Sequence, residues 1–513
     1  MESIIIPGLV EILCCYLQSY EVMLLMENVS EYSKKFIREN IKIETHISDW
    51  NYGIKLRNSF KNLKLHMSSI PINIMDDHML ADPLPFVALD LWNRSFITSH
   101  GIRNITSLTS LYLDYNTRVS DYGIKNLFNL IFLDLTENPL ITNNGILNLT
   151  NLKKLNLKRN IIITDEGLQN LTNLTSLNLS MNQRITKHGT NKLVNLIDLN
   201  LNEGSAIDDL GLTNLIKLET LNLCKNDTIT NKGLENLSNL TSLNLHANKN
   251  ITDDGIKKFS LQMKSLDLIF NSRITDDGIK DFIYLTNLNL NYNTLITDIG
   301  LAKLVSLTTL DLANNIIIRD DGIKNLKSLT SISLYYNTSI TDKGIENLIN
   351  LKSVDLNGNV GITDAGLNNL TNLTCLNLTR NSAITNLGLH NKINLTELNL
   401  SYNSVITNIG LRKLENLKIL NLGGNDVITD QGLLCLKNSL MKLTLAYNQR
   451  ITDSIMKELV MLNSLNLSCV SNITVEGLKN VHNLTHLDFF SNLSIDIADL
   501  DFLRNKGILI HTR

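Results

Sequence analysis

Cysteine, proline, aromatic residues and net charge are all scarce in this chain. Its six cysteines, Cys14, Cys15, Cys224, Cys375, Cys435 and Cys469, are spaced for neither a zinc site nor a disulfide framework. They read as small apolar residues of a reducing compartment. With 47 basic against 50 acidic residues the formal net charge is −3. No basic field is present to attract a phosphate backbone, so nucleic acid is not an expected partner. Beyond the opening line, no stretch approaches the roughly 20 uninterrupted apolar residues of a membrane-spanning helix. A nucleophile elbow, a phosphate loop, an H-E-x-x-H motif and paired metal ligands are all missing, and the ten histidines are scattered. Neither catalysis, a metal nor a cofactor is therefore expected. Five prolines and 5% aromatics complete the short side of the composition.

What is present in excess is a repeat. An asparagine closes each L-x-x-L-x-L-x-x-N phrase at Asn116, Asn138, Asn160, Asn182, Asn226, Asn248, Asn271, Asn293, Asn315, Asn337, Asn359, Asn381, Asn403, Asn425, Asn448 and Asn492. Gly204 and Val470 stand at the two missing places, and FVALDLWNR puts Arg94 in the same phase, which makes 19 units. The step is 22 residues, with two steps of 23. Within LTSLNLSMN the alternating Leu177 and Leu179 have strand periodicity. In ITDDGIKDFIYL, Ile274 points inward, Thr275 or Asp276 caps, and Ile279 and Phe282 return to the core at helical spacing. About two turns of α or 3₁₀ helix are expected there. One unit cannot bury its own apolar edge, so neighbours must stack. The inward column Ile185, Ile229, Ile251, Ile274, Ile296 and Ile340 is one core slot recurring. A buried amide needs hydrogen bonds, so the closing asparagines are expected to form a ladder with backbone groups of their own and adjacent turns. The turns at Gly204 and Val470 lose that device and should be irregular.

These phrases resemble leucine-rich repeats over residues 84–492. LTNL-x-x-L-x-L-x-x-N is similar to the bacterial internalin class, and ITD-x-GL is similar to F-box leucine-rich proteins. The resemblance implies an α/β fold: a curved solenoid with a parallel sheet on its concave side and short helices on its convex side. Residues 493–513 break the pattern and read as a closing cap, with His511, Thr512 and Arg513 blunting the exposed edge.

The opening MESIIIPGLVEILCCYLQSYEVMLL has Glu2 in place of a basic start, Pro7 and Glu11 inside the apolar run, and no small-residue cleavage site. It is a poor signal peptide and a poor anchor. As a helical module over residues 1–40 it reads well. Pro7 suits a first turn, and Leu9, Ile12, Leu13 and Tyr16 share one face. Val22, Leu25 and Met26 form a second segment, and Tyr32, Phe36 and Ile37 a third. Three short helices cannot bury all this surface alone, so some is available to a partner. The order I-P-x-L-x-x-I-L-x-Y-L, then V-x-x-L, then V-S-x-x-x-K-x-F, resembles the F-box. The family's acidic residue two after the proline is Leu9 here, and a tryptophan common near the motif's end is absent. The resemblance implies that Pro7, Leu9, Ile12, Leu13, Tyr16, Leu17, Val22 and Leu25 dock a Skp1-like adaptor and, through it, a cullin-RING ubiquitin ligase. The plain alternative is a cap on the first repeat. Residues 41–83, with IKI and LKL spaced 22 apart, read as degenerate first repeats without a flexible tether.

Two outward rows could hold a ligand. The position between the strand leucines is almost always Asn or Asp, with six aspartates and no Lys or Arg. It reads as a polar stripe that keeps the sheet soluble or as a mildly acidic groove. The position before the closing asparagine gives Phe270, Tyr292, Tyr336, Tyr402 and Tyr447, with Tyr335 one place earlier. Such aromatics are typical interface anchors, which makes this row the expected target-binding strip. Trp92, Tyr112 and Tyr115 form a smaller candidate. The resemblance thus implies a non-enzymatic, monomeric substrate-recognition subunit in the cytoplasm, or in a host's cytoplasm if the chain is viral, with the nucleus also open. The heavy use of Asn, Ile and Lys is similar to F-box repeat proteins of amoebae and their large DNA viruses. The rivals are a scaffold and a secreted, internalin-like adhesion protein whose N-x-S/T triplets at Asn170, Asn173 and Asn372 would carry glycans.

Overall fold

The computed structural model describes residues 42–47, 54–57, 62–67, 77–80, 85–92, 96–469, 472–490, 492, 495, 500–505 and 508–511. The F-box-like module, with Pro7, Leu9, Ile12, Leu13, Tyr16, Leu17, Val22 and Leu25, lies outside them, as do Arg94 and Val470. The chain divides into two compact units, Met1–Leu240 and Thr241–Arg513.

In the first unit the strands Lys42–Ile47 and Asn62–Met67 pair in parallel, and the second of them pairs with Phe86–Asp90 across a bulge between Leu65 and His66. From there each repeat adds one parallel strand, through Ser110–Tyr112, Phe132–Asp134, Lys154–Asn156 and Ser176–Asn178 to Asp198–Asn200 and Thr220–Asn222. The second unit repeats the pattern from Ser242–Asn244 and Ser265–Asp267 to His486–Asp488. The chain then makes one further strand. The helix Asp501–Asn505 leads into Leu509–His511, which pairs in parallel with His486–Asp488. His511 Nδ1 lies 2.8 Å from Asp488 Oδ1.

The core of each repeat is a fixed set of aliphatic slots. Between Leu285 and Leu304, residues Leu285, Leu288, Leu290, Ile296, Leu301 and Leu304 are at most 2% exposed. Each such side chain contributes about 1.5–3 kcal/mol on burial. The inward isoleucine column from Ile185 to Ile340 is likewise fully buried.

The outer helices are shorter than their spacing predicts. Asp276–Ile279 is one turn of four residues, not two turns. A reverse turn follows at once, with Phe282 N donating to Ile279 O at 2.9 Å and Leu285 N to Phe282 O at 2.9 Å, because the chain must regain the sheet within the repeat. The ITD-x-G phrase then explains itself. Thr297 caps its own helix by accepting from Ile299 N. Its N–H and hydroxyl both donate to Asp276 of the preceding repeat, at 2.8 and 2.6 Å. A side chain at Gly300 would strike that same carboxylate. Thr and Asp therefore form a second inter-repeat ladder, visible again at Thr142–Asp121, Thr363–Asp342 and Thr474–Asp453.

Candidate functional site

The closing asparagines are buried structural groups. Asn116, Asn138, Asn160, Asn182, Asn226, Asn248, Asn271 and Asn293 are at most 2% exposed. In Asn160, Nδ2 donates to Leu135 O at 3.0 Å and Asn138 O at 3.2 Å, while Oδ1 accepts from Ile162 N and Ile163 N at 3.1 and 3.0 Å. One amide thus ties two consecutive turns and leaves nothing for a ligand. At Gly204 this arrangement changes. Ser205 is buried and its hydroxyl accepts from Ile207 N at 3.3 Å, and the segment after it, Asp209–Leu212, is 3₁₀ rather than α.

The Asn/Asp row between the strand leucines has a physical cause that solubility does not supply. Its side-chain oxygen accepts the N–H two residues ahead, as in Asn178 with Ser180 at 2.9 Å, Asp267 with Ile269 at 3.0 Å and Asp311 with Ala313 at 2.9 Å. This Asx turn ends the strand. Asn and Asp serve it equally, so the charge at each place remains adjustable without changing the fold.

The turn then forces the position before each closing asparagine into left-handed backbone. Phe270, Tyr292, Tyr336, Tyr402 and Tyr447 have φ of 49°, 53°, 48°, 52° and 59°, and Gly358 and Gly424 occupy the same column at 63° and 61°. The side chain consequently leans over the next repeat. A Cβ at Gly358 would sit inside the Tyr336 ring, and one at Gly424 inside the Tyr402 ring. Phe270 stacks on Tyr292 at 4.5 Å and 10°. Tyr335, in the turn just past the strand Ser331–Ser333, meets Tyr336 edge-on at 4.6 Å. Arg380 lies 4.7 Å over the Tyr402 ring. The rings thus lean on groups of neighbouring repeats and stay half-open: exposures run from 42% at Tyr336 to 57% at Tyr447. The result is a ledge of rigid, half-open aromatic faces along the second unit.

The corresponding column in the first unit satisfies itself. Tyr115 donates to Glu137 Oε1 at 3.0 Å, Arg159 pairs with the same oxygen at 3.0 Å, and Arg159 Nε reaches Met181 Sδ at 2.8 Å. The Arg159 hydrogen bond holds the Glu137 carboxyl below its usual range. The smaller candidate is more acidic than aromatic. Trp92, Tyr112 and Tyr115 are each more than a third exposed. Beside them, burial and then the Asp134 charge push Asp114 up to about 6.

The aromatic positions could be read from the sequence, but their left-handed geometry was missed. A signal existed, because Gly358, Gly424 and Asn314 share the column with the tyrosines, and these residue types tolerate positive φ. Lys392 was also missed. It occupies the slot filled by Leu370 and Leu414 in neighbouring repeats and is 1% exposed, so burial pulls its ammonium below the ordinary lysine range. Chemically, the ledge and the adjacent sheet offer flat apolar faces and carboxylates. Among the described residues no group of three or more His, Cys, Asp or Glu could hold a metal, and no helix is long and apolar enough to cross a membrane.

The family model described as Leucine Rich repeat matches residues 148–171, 170–189, 214–238, 236–260, 283–305, 304–327, 347–370, 369–389, 391–414 and 413–437. The repeats are leucine-rich repeats. Among solved structures, the leucine-rich-repeat fold is similar to that in a TLR13–ssRNA13 complex, at 23% identity and a TM-score of 0.61, covering 83% of this chain and 70% of that one. An internalin, inlF, from Listeria monocytogenes matches at 27% identity and a TM-score of 0.36, covering 68% and 89%. The Rad7–Elc1 complex of yeast matches at 18% identity and 0.39, covering 69% and 89%. A comparison with curated proteins finds no match.

Proposed function

We propose that this leucine-rich-repeat chain is a non-enzymatic protein-binding adaptor, the substrate-recognition subunit of a Skp1–cullin–F-box ubiquitin ligase. The target docks on the second unit, and the residues 1–40 module engages the adaptor. The observation that carries the docking half is the aromatic ledge. Tyr292, Tyr336, Tyr402 and Tyr447 each hold a ring half-open at a backbone position fixed by the turn. Rings fixed in advance lose little entropy on binding, which is what an interface anchor requires. The adaptor half rests on the order of residues resembling the F-box.

A reducing, cytoplasmic setting agrees with the free thiols of Cys375, Cys435 and Cys469. The N-x-S/T asparagines agree with it too. The side-chain nitrogens that a glycan would need donate to carbonyls of the previous repeat, Asn170 to Leu147 O at 3.3 Å, Asn173 to Thr150 O at 2.9 Å and Asn372 to Ile349 O at 3.0 Å. The secreted reading would sacrifice these bonds.

The test of the adaptor half is recovery of a purified Skp1-like adaptor on the intact chain and on a chain lacking residues 1–40. Strong recovery by the intact chain alone is expected. Equal recovery by both, or by neither, removes the ligase from the reading and leaves a repeat scaffold.

A further inference from the structure

The docking reading above says where a target binds, and the charge on that face says what kind of segment it presents. Asp267, Asp311 and Asp355 occupy the row between the strand leucines on alternate strands, with Asn289 and Ser333 on the strands between. Each Oδ1 accepts from the N–H two residues ahead in its own turn, at 3.0, 2.9 and 2.8 Å, and among the described residues none of the three forms an ion pair with Lys or Arg. The other outward positions of these five strands carry no Lys or Arg either. Burial raises the Asp267 and Asp355 carboxyls, and Asp311 between them raises both further, while the turn hydrogen bonds oppose the rise in each, joined by His246 at Asp267 and by the Asn377 side chain at Asp355. An incoming cation would relieve this cost. Directly beside the row run Phe270, Tyr292, Tyr335 and Tyr336.

The spacing selects the occupant. Strands lie about 4.8 Å apart, so carboxylates on alternate strands repeat at about 9.6 Å. A polyproline II chain has three residues per turn at about 3.1 Å each, so its like-facing residues repeat at about 9.3 Å. Like-facing residues of a β-strand repeat at about 6.7 Å, and a helical turn repeats at about 5.4 Å. Guanidinium fits a carboxylate as a two-pronged donor and also stacks on aromatic faces. We infer that the second unit docks an extended, polyproline-like segment of its target that presents arginine at every third residue, the guanidinium groups meeting Asp267, Asp311 and Asp355 while the intervening residues lie on the Phe270–Tyr336 ledge.

The row itself supplies a benign control. Asn stands naturally at most of its positions and keeps the turn acceptor, so Asp267→Asn, Asp311→Asn and Asp355→Asn together remove charge without removing the fold. Fluorescence anisotropy with the full chain would compare a labelled peptide repeating Arg-Pro-Pro with one of the same composition whose arginines are contiguous. Expected is roughly tenfold tighter binding of the periodic peptide, a preference lost in the triple variant at unchanged melting temperature. Equal affinity for the two peptides, retention of the preference by the triple variant, or binding of neither overturns the inference. If neither peptide binds, yet Tyr336→Asn and Tyr402→Asn still abolish cross-linking of a target to this face, the docking reading stands and only the choice of segment falls.

Discussion

Replacing Asn315 by alanine is expected to lower the stability of the second unit by about 2–4 kcal/mol, because the buried Ile318 N–H and the half-buried Ile317 N–H both lose their side-chain acceptor, at about 1–3 kcal/mol for a fully buried group. Asn315 is fully buried. Its Nδ2 donates to Leu290 O at 3.1 Å and Asn293 O at 3.0 Å, and its Oδ1 accepts from Ile317 N and Ile318 N, both at 3.0 Å. Alanine strands the two N–H groups and thins the bonding of both carbonyls. Asparagine to aspartate should be nearly as harmful, since it keeps the acceptor but turns the donor into a buried charge. Because each repeat touches mainly its neighbours, the damage should stay local at first. Hydrogen exchange should therefore accelerate around Leu290–Ile318 before it changes at Leu487, with urea denaturation giving the magnitude. A loss under about 1 kcal/mol would mean that the amide ladder is ornamental.

The second large effect has the opposite sign. Lys392→Leu restores the aliphatic slot held by Leu370 and Leu414 and should stabilise the chain by about 1–3 kcal/mol at neutral pH, since a desolvated ammonium gives way to packed apolar surface. The pH dependence follows from the direction of the shift. Burial lowers the folded-state pKa of Lys392 below the ordinary 10.5. Unfolding then takes up a proton in the window between the lowered value and 10.5. The wild type carries its full penalty below that window and recovers stability as pH rises through it. The variant has no such titration, so the gap between the two denaturation curves should narrow from pH 7 towards pH 10. A constant gap would show that packing alone, and not the ammonium, makes the difference.

The repeat was legible because its period is written in residues whose role is local. Leu at alternate positions, Ile before Thr-Asp, and Asn at every closing place each betray a burial or hydrogen-bonding need that recurs. Relations between repeats were less legible. Nothing in ITDDG read alone reveals that Asp276 serves Thr297, or that Gly300 is small to admit Asp276; those pairs appear only when neighbouring turns are stacked. The monotonous Asn/Asp row looked like a solubility device because its Asx-turn role depends on where the strand stops. The aromatic row was found by residue type, whereas the left-handed backbone that fixes its rings depends on the same turn. Helix length was overestimated because apolar spacing continues through Phe282 and Leu285, which are held by a reverse turn rather than a second helical turn. Lys392 was passed over because a single lysine among polar residues looks solvated until the slot it fills is counted from its neighbours.

The central claim is that the aromatic ledge of the second unit is where a protein docks. A photo-cross-linking amino acid placed at Tyr336, compared in the native cell with the same group at the outer-helix residue Ile299, which is 71% exposed, tests this directly. Expected is a discrete protein adduct from position 336 that disappears when the chain also carries Tyr402→Asn, with none from position 299. Adducts from both positions alike, or from Ile299 alone, would contradict it.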